Sequence, residues 1–261
     1  MTVWLLAVLA TLASVRDASA QRPRTLTVFA AASLTAPFTE LGDSLEHRRP
    51  GLSVRFNFAG SQQLAAQLAE GAEADIFASA DERWMRDAGG RGLLAGTPVI
   101  FARNRLVVAL PAGNPGRIER LQDLARPGLK LVLAAASVPA GAYGREVLER
   151  LSRTAGFTPD FARRALANLA SEEENVKAVL AKVQLGEADA GIVYRTDVAG
   201  RVASHVRVIE IPEAANVVAE YPAAALAGTA EAADARAFLS LLLGDLGQRV
   251  LAAHGFLSAQ R

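Results

Sequence analysis

"VFAAASLTAPF", Val28–Phe38, runs from an apolar strand end straight into a helix start, with three alanines and a serine as the only connection. Pro37 has no N–H and fits within a first helical turn, where no backbone partner is needed. The helix therefore begins at about Leu34 or Thr35. Such a turn leaves backbone N–H groups free around Ser33 and Thr35, and Ser33 adds a hydroxyl. Side chains this small serve tight packing, or they let something approach the backbone closely.

The same strand-to-helix succession continues in both directions from this turn. "TLTVFAA" and "LSVRFNFAG" read as strands, the second by its alternation of apolar and polar residues. "FTELGDSLEHRRPG" is a helix stopped by Pro50-Gly51, and "SQQLAAQLAEG" a short helix. "ADIFASAD" reads as a buried strand before the helix "ERWMRDAGGRGLL", and "RLVVAL" as a strand closed by Pro111. "LQDLARPG" and "GREVLERLSRTAG" are helical, with the strand "LKLVLAAA" between them. "VKAVLAKVQLG" places Val176, Val179, Leu180 and Val183 on one face. "ADAGIVY" and "VRVIEIP" are strands, and two helices close the chain. Strands separated by helices argue for an α/β fold with largely parallel sheets. Ligands of such sheets collect at the carboxyl ends of strands, beside helix N-termini.

Three more turns resemble the first. In "FAGSQQL", Gly60 permits the turn and Ser61 is a candidate N-cap. In "SVPAGAYGREVL", Pro139 and Gly141 form a tight turn that leaves the Ala140 and Gly141 amides pointing outward. In "SEEENVKAVL" two registers compete. Ser171 with Glu174 makes a capping box; alternatively Asn175 caps and Val176 is the first helical residue, with a free N–H. The apolar periodicity starts at Val176 and favours the second. A serine before a helix is ordinarily a cap, but four such turns with little charge nearby suggest an anion site.

The chain has 261 residues, 51% of them hydrophobic, a formal net charge of +1 and no cysteine. That balance offers no basic surface for nucleic acid or anionic lipid. The absent cysteines exclude disulfides, thiolate metal sites and a cysteine nucleophile. "VWLLAVLATLASV" near the start is short for a membrane span and leads to Ala18-Ser19-Ala20, a signal-peptidase pattern. A signal peptide over residues 1–20, cleaved after Ala20, is expected, and an exported, unanchored chain points to the periplasm. His47, His205 and His254 lack metal-ligand spacing, and no nucleophile elbow, phosphate loop or dinucleotide fingerprint is present. The acidic run Glu172–Glu174 reads as a solvated approach to the following helix rather than a cation site.

Exported, with binding turns but no catalytic set, the chain resembles the periplasmic molybdate-binding proteins of ABC transporters. The motifs that carry this are "FAAASL", "FAGSQQLAAQ", "ADIFASAD" followed by Trp84-Met85, "VPAGAYG", "ENVKAVLAKV" with "GEADAGIVY", and "YPAAAL". The resemblance implies a type II periplasmic binding-protein fold: two α/β lobes with mixed sheets, joined by a hinge, with the ligand in the cleft between them. Lobe I would comprise residues 24–105 plus 220–261, and lobe II residues 106–219. It further implies that Ser33 and Ser61 donate from lobe I and the Ala140 and Val176 backbone N–H groups from lobe II, with the Tyr194 phenol as a fifth donor. Molybdenum would be held as its oxyanion, with no direct protein–metal bond and no other cofactor. The implied role is binding of molybdate or tungstate by a monomer and delivery to a membrane permease, without catalysis. The alternatives are another tetrahedral oxyanion, such as sulfate or thiosulfate, and an exported hydrolase using Ser33 or Ser61.

Overall fold

A computed structural model describes residues 24–259. The expected signal peptide and its cleavage site lie outside the described residues. The first strand, β1 (Arg24–Ala31), passes through a 3-10 turn (Ala32–Leu34) into α1 (Thr35–Arg48). Then follow β2 (Leu52–Ala59), α2 (Ser61–Ala69), β3 (Ile76–Ala78), α3 (Glu82–Gly90) and the long β4 (Val99–Pro111). The middle of the chain contributes β5 (Leu131–Ala134), α4 (Pro139–Leu151), α5 (Phe161–Leu166), β6 (Leu169–Glu173), α6 (Val176–Gln184) and β7 (Ala190–Tyr194). It ends with β8 (Val206–Glu210), β9 (Val218–Ala225), α7 (Ala232–Leu243), α8 (Asp245–Ala253) and the short β10 (Leu257–Ser258).

The strands run in the order β2-β1-β3-β9-β4-β7-β5-β6, with β8 and β10 also on β4. β4 changes partners midway. Its residues Val99–Arg105 pair with β9, and Leu106–Ala109 pair with β7. Where β9 falls away, the Asn216 side chain takes over: its Nδ2 donates to the Leu106 carbonyl at 2.8 Å and its Oδ1 accepts the Leu106 N–H at 3.0 Å. An amide side chain thus satisfies a buried backbone pair that would otherwise be orphaned.

Alternation of strands and helices alone argues for largely parallel sheets; the sheets are instead mixed, as the family resemblance implies. β1–β2, β1–β3, β5–β6 and β5–β7 are parallel, but every pairing of β4, and that of β3 with β9, is antiparallel. Helical crossovers account only for the strands they connect; β4 and β9 pass between the two halves of the sheet and meet their neighbours head to tail. Two smaller readings also change. "LQDLARPG" forms only a 3-10 turn (Leu121–Ala125). Within the acidic run, Glu172 and Glu173 end β6 and are paired, Glu172 with Arg145 and Glu173 with Lys182 at 2.7 Å, while the exposed Glu174 leads into α6 as read.

Alternation along β1 divides the first half-sheet's packing between its faces. Val28 and Ala30 face α1, α7 and α8, where Phe38, Phe101 and Phe238 meet edge-on or tilted with centroids 5.4–5.7 Å apart. Phe29 faces the other way, with Leu64 and Leu68 of α2 and Met85 of α3. In the second half, α6 buries Val176, Val179, Leu180 and Val183, the stripe legible in the sequence. No helix among the described residues is long and apolar enough to cross a membrane.

Candidate functional site

The carboxyl ends of β1 and β2 and the N-termini of α4 and α6 converge on one narrow cavity. Ser33, Ser61, Ala140, Val176 and Tyr194 all line it, and each is at most 5% exposed. The cavity is narrow, with a volume of about 10 Å³, so only a small solute fits it without movement of its walls. Among the described residues that line it there is no Asp, Glu, His, Lys or Arg. Whatever charge binds there meets dipoles and hydroxyls only.

Each wall is built by local sequence. Pro139 is the first residue of α4, so its missing N–H costs nothing. The next two amides, of Ala140 and Gly141, have no acceptor within the helix. A Cβ on Gly141 would overlap the carbonyl oxygens of Ala134 and Ala135, so glycine is what lets this helix end sit against β5. At α6 the competition between registers resolves as the periodicity indicated. Asn175 caps, its Oδ1 accepting the Ala178 N–H at 3.0 Å, and Val176 opens the helix. Ser171 instead bonds Glu173 at 2.7 Å.

Ser61 departs from its expected role. Gly60 is the N-cap of α2 and Ser61 its first helical residue. The Ser61 hydroxyl is occupied elsewhere: it accepts the Ala80 N–H at 3.0 Å. With a lone pair filled by a fixed donor, its proton is free for the cavity. Ser33 lies within the 3-10 turn before α1, and its Oγ is 3.0 Å from the Tyr221 hydroxyl. The Tyr194 hydroxyl is fully buried, lines the cavity and has no hydrogen-bond partner among the described residues. Such a group is costly unless something completes it. Burial holds the Tyr194 phenol well above its ordinary pKa, so it stays a donor.

The two halves of the sheet also touch around the cavity. Gln62 Nε2 donates to the Glu174 carbonyl at 2.8 Å, Gln63 Nε2 to the Glu174 carboxylate at 3.2 Å, and Trp84 Nε1 to the Ser137 carbonyl at 2.9 Å. These residues, like Tyr221 and Ala80, were not singled out as site residues in the sequence. Their partners lie far away along the chain, and no local spacing announces them. The histidines stay outside: none lines the cavity, and His254 pairs with Glu40 at 2.9 Å.

Comparison with known proteins agrees with this arrangement. Residues 26–257 match the family described as bacterial extracellular solute-binding proteins. The molybdate-binding protein ModA of Mycobacterium bovis is 44% identical over 236 residues, covering 90% of this chain and 85% of the relative. The Escherichia coli protein of that name is 32% identical, covering 88% of both chains. Among solved structures, the periplasmic molybdate-binding protein of Azotobacter vinelandii superposes with a TM-score of 0.77 at 23% identity, covering 90% of this chain and 100% of the other. The sulfate-binding protein SubI of Mycobacterium tuberculosis gives 0.79 at 18%, covering 91% and 88%. Matched along nearly its whole described length, the chain belongs to the bacterial extracellular solute-binding proteins, and within them to the ModA-type group.

Proposed function

We propose that this protein captures molybdate or tungstate in the cavity between its two sheet halves and delivers it to the permease of an ABC transporter. The observation that carries the reading is the convergence of the Ser33, Ser61 and Tyr194 hydroxyls with the Ala140 and Val176 helix ends on an uncharged cavity. The 44% identical relative named for molybdate binding supports the choice of ligand. The lobes are residues 24–105 with 220–261, and residues 106–219; the exchange of partners along β4 between Arg105 and Leu106 supports that division. The chain is exported by a signal peptide cleaved after Ala20 and acts in the periplasm as a monomer.

Stripping water from a dianion is costly. Hydrogen bonds to a charged acceptor contribute about 1.5–3 kcal/mol each. Several of them leave a net of about 8 kcal/mol or more, a micromolar Kd or tighter. The donors come from both halves, so the ligand binds the closed arrangement better and shifts the population toward it. Closure is then the signal a permease can read. Molybdate and tungstate share charge and shape and are held alike, whereas the smaller sulfate leaves donors unsatisfied. With no imidazole or carboxylate among the described residues of the cavity wall to act as base, Ser33 and Ser61 serve as donors rather than nucleophiles.

Isothermal titration of the purified protein with molybdate, tungstate and sulfate in phosphate-free buffer tests this. The expected result is one-to-one binding of the first two and no heat from sulfate. Binding of sulfate alone would keep the fold and overturn the ligand.

A further inference from the structure

Behind Ser33 lies a chain of buried polar groups that the proposed contacts do not use. Asn104, on β4, is completely buried. Its Oδ1 accepts the Arg105 N–H at 3.0 Å, which fixes the orientation of the amide: turned over, it would set its NH2 against a backbone donor. The NH2 therefore points the other way. One hydrogen goes to Thr196 Oγ1 at 2.9 Å and the other toward the Tyr221 hydroxyl oxygen at 3.4 Å. Tyr221 is completely buried, its ring held edge-on by Phe256 and Tyr194 with centroids 5.3 and 5.8 Å away. Its oxygen already accepts from Asn104, and its own proton needs an acceptor. Ser33 Oγ, 3.0 Å away, supplies one. If Ser33 donated instead, Tyr221 would receive two hydrogens and leave its own buried proton only the Tyr194 hydroxyl, which lacks hydrogen-bond geometry, in place of the well-placed Ser33 Oγ.

We propose that Tyr221, oriented by Asn104, is a positioning residue that makes Ser33 an obligate donor and thereby sets the site against oxyanions that still carry a proton. The inference rests on the oxyanion reading of the cavity and extends it to selectivity. Once Ser33 accepts from Tyr221, its single proton is left for the cavity. Ser61 reaches the same state by accepting from the Ala80 N–H. Both serine hydroxyls then present hydrogens, and a ligand O–H could reach only the second lone pair of either, in competition with the hydrogen that serine itself presents. Burial raises the Tyr221 phenol far above its ordinary pKa, which keeps the relay's proton in place.

The test is a double-mutant cycle on the purified protein, titrating Tyr221→Phe, Ser33→Ala and the double variant with molybdate and with inorganic phosphate near neutral pH. Tyr221→Phe is expected to weaken molybdate binding about tenfold alone and no more than about twofold on top of Ser33→Ala. It should also narrow the gap between molybdate and phosphate, because a Ser33 released from Tyr221 can turn and accept. Equal losses in both backgrounds would reduce Tyr221 to a packing residue and overturn the relay. So would an unchanged molybdate-to-phosphate ratio. If Tyr221→Phe fails to fold, neutron diffraction of the deuterated wild-type protein decides. Deuterium on Tyr221 Oη aimed at Ser33 supports the relay, and deuterium on Ser33 aimed at Tyr221 overturns it. A wild-type protein that takes up no molybdate would overturn the ligand reading and the relay together, whereas molybdate binding with additive losses overturns the relay alone.

Discussion

Two buried places in this molecule deal with negative charge in opposite ways. Asp234, at the start of α7, has a side chain only 1% exposed and is held by two guanidinium groups, Arg24 at 2.6 Å and Arg49 at 2.5 Å. The cavity between the sheet halves is lined, among the described residues, by no charged side chain at all. The difference follows from permanence. The Asp234 carboxylate is always present, so cations beside it are always neutralised. A cavity that fills and empties would leave a resident cation buried and unpaired each time the ligand departed, at a cost of several kcal/mol. Hydroxyls and helix N-termini carry smaller, fixed dipoles. They favour an anion when it is present and tolerate water when it is not.

The largest effect should come from placing charge where the cavity has none. Ser61→Asp would put a carboxylate against the dianion. Molybdate binding is expected to fall at least about a thousandfold, roughly 4 kcal/mol, by isothermal titration. Survival of micromolar binding would show that Ser61 does not face the ligand. Next is the converse, removal of the permanent charge. Asp234→Ala leaves two arginines unpaired, and because each is about one-third exposed, water recovers part of the loss. Denaturant unfolding should show about 2–3 kcal/mol of destabilisation, below the 3–5 kcal/mol of a fully buried pair, with the molybdate Kd unchanged. A Kd that moved with Asp234 would mean that the two anion sites are coupled.

How much of this the chain discloses by itself depends on how far apart the interacting residues lie. The Val176 helix start was legible because a 3.6-residue apolar stripe begins there and Asn175 precedes it; both signals sit within one turn. The first turn was legible because Pro37 restricts where a helix can begin. Ser61 reads as a candidate cap from its own segment because the partner of its hydroxyl, the Ala80 N–H, is 19 residues away. The acidic run read as a solvated approach because the lysine and arginine that neutralise β6 come from other elements. The mixed sheet follows from the family resemblance but not from the alternation of strands and helices, for a similar reason: neither β4 nor β9 states in its own composition that it crosses between halves. The Tyr221–Ser33 bond spans 188 residues, and no pattern in "YPAAAL" foretells it.

A smaller effect separates contacts that touch the ligand from those that only hold the halves together. Trp84 reaches across to the Ser137 carbonyl at 2.9 Å without lining the cavity. Trp84→Phe keeps the ring's apolar contact and deletes the N–H. One neutral hydrogen bond contributes about 1 kcal/mol net, so the Kd should rise about fivefold. If the halves part when the ligand leaves, as proposed, this bond breaks with them, and the loss should appear in the dissociation rate, measured by stopped-flow displacement. A fall in the association rate instead would place Trp84 on the entry path.

The smallest expected effect is none, and it discriminates sharply. If the cavity relies on neutral donors, no group that contacts the ligand changes protonation near neutrality. The phenol on the cavity wall, Tyr194, and the one behind Ser33, Tyr221, are both raised above the ordinary tyrosine value of about 10. Their protons are lost only at still higher pH, so rising pH removes no donor across the range in which the protein works. Molybdate affinity should stay flat within about twofold from about pH 6.5 to 9. A site that used a protonated histidine would instead lose affinity as the pH climbed past about 6.5. A site that used lysine would lose it as the pH approached about 10. A sloping profile in either interval would therefore locate a titrating cation near the ligand and remove the contrast with Asp234 on which the dipolar account of the cavity depends.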